Sequence, residues 1–120
     1  MKHILVIDDS KVIRKAIRGL LEQRGYQVDE AEDGSVALDH VTHRPYDAVL
    51  CDIDMPVMDG LTFVSTLRGM STRQPPIVMC STHTSYEKIQ DAIERGANEF
   101  IMKPFDADII EDKLAACGVV

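Results

Sequence analysis

Five short apolar runs alternate along the chain with five segments in which apolar residues recur at helical spacing. The runs at 4–7, 48–51, 77–80 and 99–102 are typical of strands buried on both faces, whereas the run at 26–30 alternates like an edge strand. Strands that are each followed by a helix favour a parallel sheet, because parallel neighbours need a long crossover connection. The sequence therefore predicts an α/β fold with helices on both faces of one sheet.

The helical segments have recognisable boundaries. They are predicted at 10–24, from 33 or 35 through 41, at 60–68, at 85–95 and from 106 onward. Candidate N-caps are Asp33 or Ser35, Asp59 and Asp106, and candidate stops are Gly25 and Gly96. Few residues remain outside these elements, so we expect a single domain over residues 1–120.

Composition limits the partners that the chain can have. The formal net charge of −7 argues against nucleic acid or an anionic membrane, because both require basic surfaces. No apolar run approaches the roughly 20 residues of a membrane-spanning helix, and the start lacks the pattern of a signal peptide. The three cysteines form no CxxC pair, which favours reduced thiols and a cytoplasmic location.

Polar residues of the kinds that phosphoryl chemistry uses follow four of the predicted strands. Asp8 and Asp9 follow the first, Asp52 the third, Ser81 the fourth and Lys103 the fifth. Because ligands of open parallel sheets bind beyond the carboxyl ends of the strands, we expect these side chains to share one crevice.

Crowded carboxylates in such a crevice predict either that some of them are protonated or that a divalent cation lies among them. Asp8, Asp9, Asp52 and Asp54 would meet with Lys103 as the nearby cation, and two like charges 4 Å apart repel by roughly 4 kcal/mol at an effective dielectric of 20. Hard oxygen donors without histidine or cysteine favour Mg²⁺ over zinc. With the charge neutralised, a carboxylate oxygen of Asp52 is a plausible nucleophile toward phosphorus.

The sequence resembles the receiver domains of bacterial two-component response regulators over essentially its whole length. The residues that carry the resemblance are Asp8-Asp9, Asp52, Met55-Pro56, Asp59-Gly60, Ser81 and Lys103-Pro104-Phe105. It implies a flavodoxin-like (βα)5 fold, a doubly wound parallel five-stranded sheet in the order 2-1-3-4-5. It also implies that Asp52 is the phosphoacceptor and that the chain is a signalling protein with slow self-hydrolysis, not a true enzyme.

The same resemblance assigns a magnesium site. Asp9 and Asp52 would bind Mg²⁺ directly, together with the backbone carbonyl of Asp54, and Asp8 would act mainly through water. Many relatives have a neutral or longer side chain where this chain has Asp54. We expect its extra charge to disfavour an approaching water or phosphate.

A phosphoryl-binding and switching set is implied as well. Lys103 would pair with a phosphoryl oxygen, and its peptide bond to Pro104 is expected to be cis. Ser81 would bind the phosphoryl group and couple to a switch aromatic at Phe100. Phe100 lacks a hydroxyl, so an inward movement of this ring would depend on packing alone.

The resemblance also implies partners. A sensor histidine kinase or phosphotransfer domain would supply the phosphoryl group, and the face formed by helix four, strand five and helix five would then change partners. The first and last motifs look most like single-domain chemotaxis regulators, especially alphaproteobacterial ones, which suggests a flagellar motor switch protein as the target. A phosphate sink or another pathway stays open.

These residues allow other interpretations. Asp8 and Asp9 can be N-caps of the first helix, and Arg14, Lys15 and Arg18 are typical of a solvated helix face. Asp52-Ile53-Asp54 superficially resembles the pair of haloacid-dehalogenase-like phosphatases, although those carry it on their first strand. An FMN-binding flavodoxin is disfavoured, because no Ser/Thr/Gly-rich phosphate loop follows the first strand.

Overall fold

The computed structural model describes residues 2–70, 74–82, 86–103 and 105–119. Its strands are β1 (His3–Ile7), β2 (Gln27–Ala31), β3 (Ala48–Asp52), β4 (Ile77–Ser81) and β5 (Glu99–Met102). Its helices are α1 (Lys11–Gln23), α2 (Gly34–His43), α3 (Gly60–Arg68), α4 (Tyr86–Arg95) and α5 (Ala107–Ala116). All strand pairs are parallel in the order β2-β1-β3-β4-β5, which confirms the predicted flavodoxin-like fold.

The sheet separates two apolar cores, because successive side chains of a strand point to opposite faces. Leu5 and Ile7 of β1 face the core that α2, α3 and α4 cover, whereas Ile4 and Val6 face the core under α1 and α5. Continuous apolar runs are therefore required in the central strands, which explains why these runs could be recognised in the sequence. Within the described residues, no helix is long and apolar enough to span a membrane.

The helix starts follow the predicted caps with one correction. The side chains of Asp33, Asp59 and Asp106 accept backbone N–H groups at the starts of α2, α3 and α5. The N-cap of α1 is Ser10, not Asp8 or Asp9, so the alternative interpretation of those two carboxylates as N-caps is wrong.

Close backbone packing fixes the segment that follows β3. The N–H of Gly60 donates to the carbonyl of Ile53 at 2.8 Å, and a Cβ at position 60 would overlap the carbonyl oxygen of Asp52. The N–H of Gly34 likewise donates to the carbonyl of Met58 at 3.0 Å. These backbone bonds hold the loop in place, and the loop in turn helps to orient Asp52, the last residue of β3.

Candidate functional site

Three carboxylates meet at the carboxyl edge of the sheet. One side-chain oxygen from each of Asp8, Asp9 and Asp52 lies within 4.8 Å of the other two. Asp8 and Asp52 are 2% and 9% exposed, whereas Asp9 faces solvent. The fold thus brings together the ends of β1 and β3, as the sequence predicted from the placement of these residues.

Among the described residues, Lys103 brings a cation to this crevice. Its Nζ lies 2.6 Å from Asp8 Oδ2 and 3.4 Å from Asp52 Oδ1. The backbone holds this lysine in place, because its N–H donates to the carbonyl of Ser81 at 2.8 Å. The lysine therefore pairs more closely with Asp8 than with Asp52 in the unmodified protein.

The electrostatics of the crevice disfavour a charged Asp52. Burial raises the pKa of Asp52 to about 6, and the charges of Asp8 and Asp9 add to the rise, although Lys103 opposes it. Burial acts to lower the pKa of Lys103, but the hydrogen bond to Asp8 and the charge of Asp52 outweigh it and raise that pKa. One ammonium thus remains charged among more carboxylates than it can neutralise.

Backbone contacts orient Asp8 from three sides. Its Oδ1 accepts the N–H of Ser10 at 2.9 Å, and its own N–H donates to the carbonyl of Ala31 at 3.1 Å. Its carbonyl accepts Nη1 of Arg14 at 2.8 Å. Arg14 was not expected to touch the site, because its reach to β1 depends on how α1 packs and has no signature in the sequence.

A second charged cluster lies beside the crevice, around Glu30 on β2. Its oxygens lie 3.1 Å from Arg14 Nε, 2.7 Å from Lys15 Nζ and 2.8 Å from Arg18 Nη1. Burial acts to raise the pKa of Glu30, but the three hydrogen bonds outweigh it and lower that pKa to about 2. The predicted solvated face holds for Lys15, which is 54% exposed, but Arg14 is only 13% exposed, and all three cations also pair with Glu30.

Ser81 lies on β4, which pairs with β3, and Phe100 lies on β5, the edge strand beyond β4. Ser81 is buried at the end of β4, directly after Cys80, which is the register partner of Asp52. Phe100 on β5 is the register partner of Met79 and packs, partly buried, against the core under α3 and α4. The predicted cis bond of Lys103 to Pro104 lies outside the described residues.

The loop after β3 contains a strained turn and an ion pair. The N–H of Met58 donates to the carbonyl of Pro56 at 2.8 Å, which closes a γ-turn around Val57 at a φ of 67°. The resemblance to receiver domains assigned the backbone carbonyl of Asp54 to the metal. The side chain of Asp54 is exposed, and its Oδ1 lies 3.3 Å from Lys88 Nζ on α4. Sequence reasoning missed Lys88, because the contact joins residues that are 34 positions apart.

Comparison with protein families identifies the class. Residues 4–115 match the response regulator receiver domain. The chain belongs to this family of two-component signalling domains, and it is similar to single-domain CheY proteins.

Individual relatives agree with that class. The chain is 39% identical to chemotaxis protein CheY of Bacillus subtilis over 110 residues, covering 90% of this chain and 91% of the relative. It is 37% identical to the transcriptional regulatory protein DltR of Streptococcus agalactiae, of which it spans 47%. Chemotaxis protein CheY4 of Vibrio cholerae superposes with a TM-score of 0.91 at 36% identity, with 98% of both chains covered. The narrower alphaproteobacterial likeness stays a prediction.

The acidic cluster fits a hard divalent cation. Asp8, Asp9 and Asp52 offer only carboxylate oxygens, which suit Mg²⁺. Burial and mutual repulsion already raise the pKa of Asp52, so positive charge at this point would relieve an unfavourable arrangement. The crevice is therefore compatible with Mg²⁺ on its donor chemistry and on its electrostatics.

Proposed function

We propose that this receiver, extending over residues 1–120, accepts a phosphoryl group on Asp52 from the histidine of a sensor kinase or phosphotransfer domain. The observation that carries the proposal is the meeting of Asp52 with two further carboxylates and Lys103 at the carboxyl edge of the sheet. The membership of the receiver family and the similarity to CheY proteins support it.

The chemistry follows from the residues that surround the acceptor. An Asp52 oxygen attacks phosphorus, the bond from phosphorus to the donor nitrogen breaks, and the nitrogen retains the electron pair and takes up a proton. Lys103 is within reach to neutralise negative charge on the transferring group. The Ser81 hydroxyl would donate to a phosphoryl oxygen, because Ser81 ends the neighbouring strand.

Mg²⁺ is the proposed cofactor. Asp9 and Asp52 would hold it directly, with Asp8 through water and Asp54 through its backbone carbonyl. When bound, the ion supplies positive charge that offsets the carboxylates and the phosphoryl oxygens. Among the described residues at this edge of the sheet, none is placed as a strong general base toward water, so we propose slow loss of the phosphoryl group.

Labelling of the intact protein tests the acceptor. Incubation with acetyl phosphate and Mg²⁺ should add one phosphoryl group by intact mass, and Asp52→Asn should abolish the addition. Asp39→Asn, which removes an exposed carboxylate on α2, is the matched control and should label normally. Steady multiple turnover of a phosphomonoester would instead favour the haloacid-dehalogenase-like alternative and would contradict the proposal.

The output is proposed to be a protein contact on the face of α4, β5 and α5. Tyr86, Ile93, Met102 and Ile109 are exposed hydrophobic residues on these elements, so a partner would cover apolar surface there. The phosphoryl group can act only through contacts that differ between two states, for which Ser81 and Phe100 are the proposed switch.

Chemotaxis is the proposed pathway, with a flagellar motor switch protein as the target, in the cytoplasm where buried reduced thiols such as Cys51 are stable. The similarity to two chemotaxis proteins supports it. A pull-down with a purified motor switch protein, with and without beryllofluoride and Mg²⁺, tests this proposal. Binding only to the beryllofluoride form is expected, and equal binding in both arms would favour a phosphate sink.

A further inference from the structure

An ion pair links the segment after β3 to the first turn of α4. Lys88 Nζ lies 3.3 Å from Asp54 Oδ1, and both side chains are partly exposed, by 39% and 53%. Lys88 is the third residue of α4, whereas Asp54 stands two residues after Asp52. The two residues are 34 positions apart in the sequence, so their contact depends on the tertiary fold.

The pair joins the segments that follow the two strands whose ends carry Asp52 and Ser81. Asp54 belongs to the chain that continues from β3, and Lys88 belongs to the helix that follows β4. These two strands are hydrogen-bonded neighbours whose ends carry Asp52 and Ser81. Ile53, between Asp52 and Asp54 in the sequence, is buried, whereas the Asp54 side chain lies on the solvent side of the loop.

We propose that Lys88 is a positioning residue that acts through Asp54 to hold the first turn of α4 against the loop after β3. In the unmodified protein the pair restrains α4 and narrows the entrance to the crevice. The second part of this inference rests on the proposed function, because it states that the pair regulates how readily a phosphodonor reaches Asp52.

The size of the effect follows from the exposure of the pair. A partly exposed ion pair is screened by water and typically changes an equilibrium by about two- to five-fold. A tether of that strength opens often enough to admit a donor, yet it biases the position of α4 measurably. Such a contact suits a regulated entrance better than a permanent structural bridge.

Hydrogen exchange of the unmodified, magnesium-free protein tests the tether without any phosphorylation. The amide of Ala92 bonds to the carbonyl of Lys88 in the helical pattern, so it reports opening of this turn. We expect Lys88→Met and Asp54→Asn each to speed exchange in the first half of α4 by about two- to five-fold. Arg95→Met removes a cation about 10 Å farther along the same helix and is the control, with little change expected there.

Combined variants decide whether the two residues act as a pair. Asp54→Asn with Lys88→Met should exchange no faster than either single variant, and the reversed pair, Asp54→Lys with Lys88→Asp, should restore most of the protection. Additive increases, or no protection in the reversed pair, would overturn the tether.

Labelling rates with acetyl phosphate test the regulatory part. Lys88→Met should raise the labelling rate by about two- to five-fold in the parent, but by less than about 1.5-fold when Asp54 is already asparagine. The same change in both backgrounds would show that Lys88 acts independently of Asp54 and would refute the inference. Failure of the parent to label would count against the proposed function alone, because the exchange result needs no phosphodonor.

Discussion

Two charged clusters that share Arg14 have opposite electrostatics. Around Glu30, one carboxylate meets three cations, and its pKa falls to about 2. Around Asp52, three carboxylates meet one ammonium from Lys103, and the pKa of Asp52 rises to about 6. Arg14 contacts both, because it binds Glu30 through Nε and the Asp8 carbonyl through Nη1.

The comparison separates a cluster that stabilises the fold from one that is retained at a cost in stability. The Glu30 cluster joins α1 to β2, and the charge of the carboxylate is compensated by its three cations. The ionised carboxylate therefore increases the free energy of unfolding. The Asp52 cluster is undercompensated, which is expected of a site that takes up a cation and an anionic group. Arg14 connects the two clusters, because it bonds both to Glu30 and to the backbone of Asp8.

Removing the cation should give the largest effect. Lys103→Met leaves Asp8, which is almost wholly buried, without its 2.6 Å partner, and we expect a loss of about 3 kcal/mol in the free energy of unfolding at pH 7.5. Urea unfolding of the magnesium-free protein measures it. Lys113→Met breaks the more exposed pair with Glu99 and should cost at most about 1 kcal/mol. Equal losses of unfolding free energy in the two variants would show that Lys103 matters no more to the fold than an exposed ion-pair lysine.

Neutralising the acceptor should act in the opposite direction. Asp52→Asn should stabilise the magnesium-free protein by about 2–3 kcal/mol at pH 7.5, because the pKa of Asp52 rises from 3.8 to about 6 on folding. A carboxyl with a raised pKa stabilises the fold while it is protonated, and that contribution is lost as the pH rises from about 4 through 6. The gain of the variant should therefore vanish below pH 4.

Magnesium gives this prediction a second readout. Mg²⁺ should raise the melting temperature of the parent at pH 7.5 more than that of Asp52→Asn, because the parent has an extra carboxylate to neutralise. A stabilisation of the variant that is the same at pH 3.5 and pH 7.5 would show that packing, not charge, is responsible.

How much the sequence predicts depends on whether a feature is local or depends on packing. The parallel sheet and the meeting of Asp8, Asp52 and Lys103 followed from apolar runs that end in polar residues, because parallel strands place all their carboxyl ends at one edge. The strand order followed from the resemblance to receiver domains. The Glu30 cluster and the Lys88 contact could not be predicted, since they depend on which faces of α1 and α4 meet β2 and the loop. The roles of the site residues stay proposals.

Removing the charge of Glu30 should have a moderate effect with the opposite pH dependence. Glu30→Gln should cost about 1–2 kcal/mol at pH 7, after allowance for the water around Lys15 and Arg18. A carboxyl with a lowered pKa contributes stability above its unfolded value near 4.5, and this is lost as the pH falls toward 2. Parent and variant should therefore converge in urea unfolding near pH 2. If parent and variant instead had equal stability at high pH, the ionised Glu30 carboxylate would not stabilise the fold.

The smallest effect extends the comparison from charges to the backbone. Val57 is the one non-glycine with a positive φ among the described residues, and at 84% exposure it gains little packing in return. A left-handed conformation costs an ordinary residue about 1–2 kcal/mol, and asparagine tolerates it better, so Val57→Asn should stabilise by about 1 kcal/mol. Val12→Asn, at a similarly exposed position in α1, should change little, and thermal unfolding of both variants measures the difference. Equal shifts would show that side-chain polarity, not φ, controls the result. A gain confined to position 57 would show that the loop after β3 carries backbone strain close in sequence to the undercompensated Asp52.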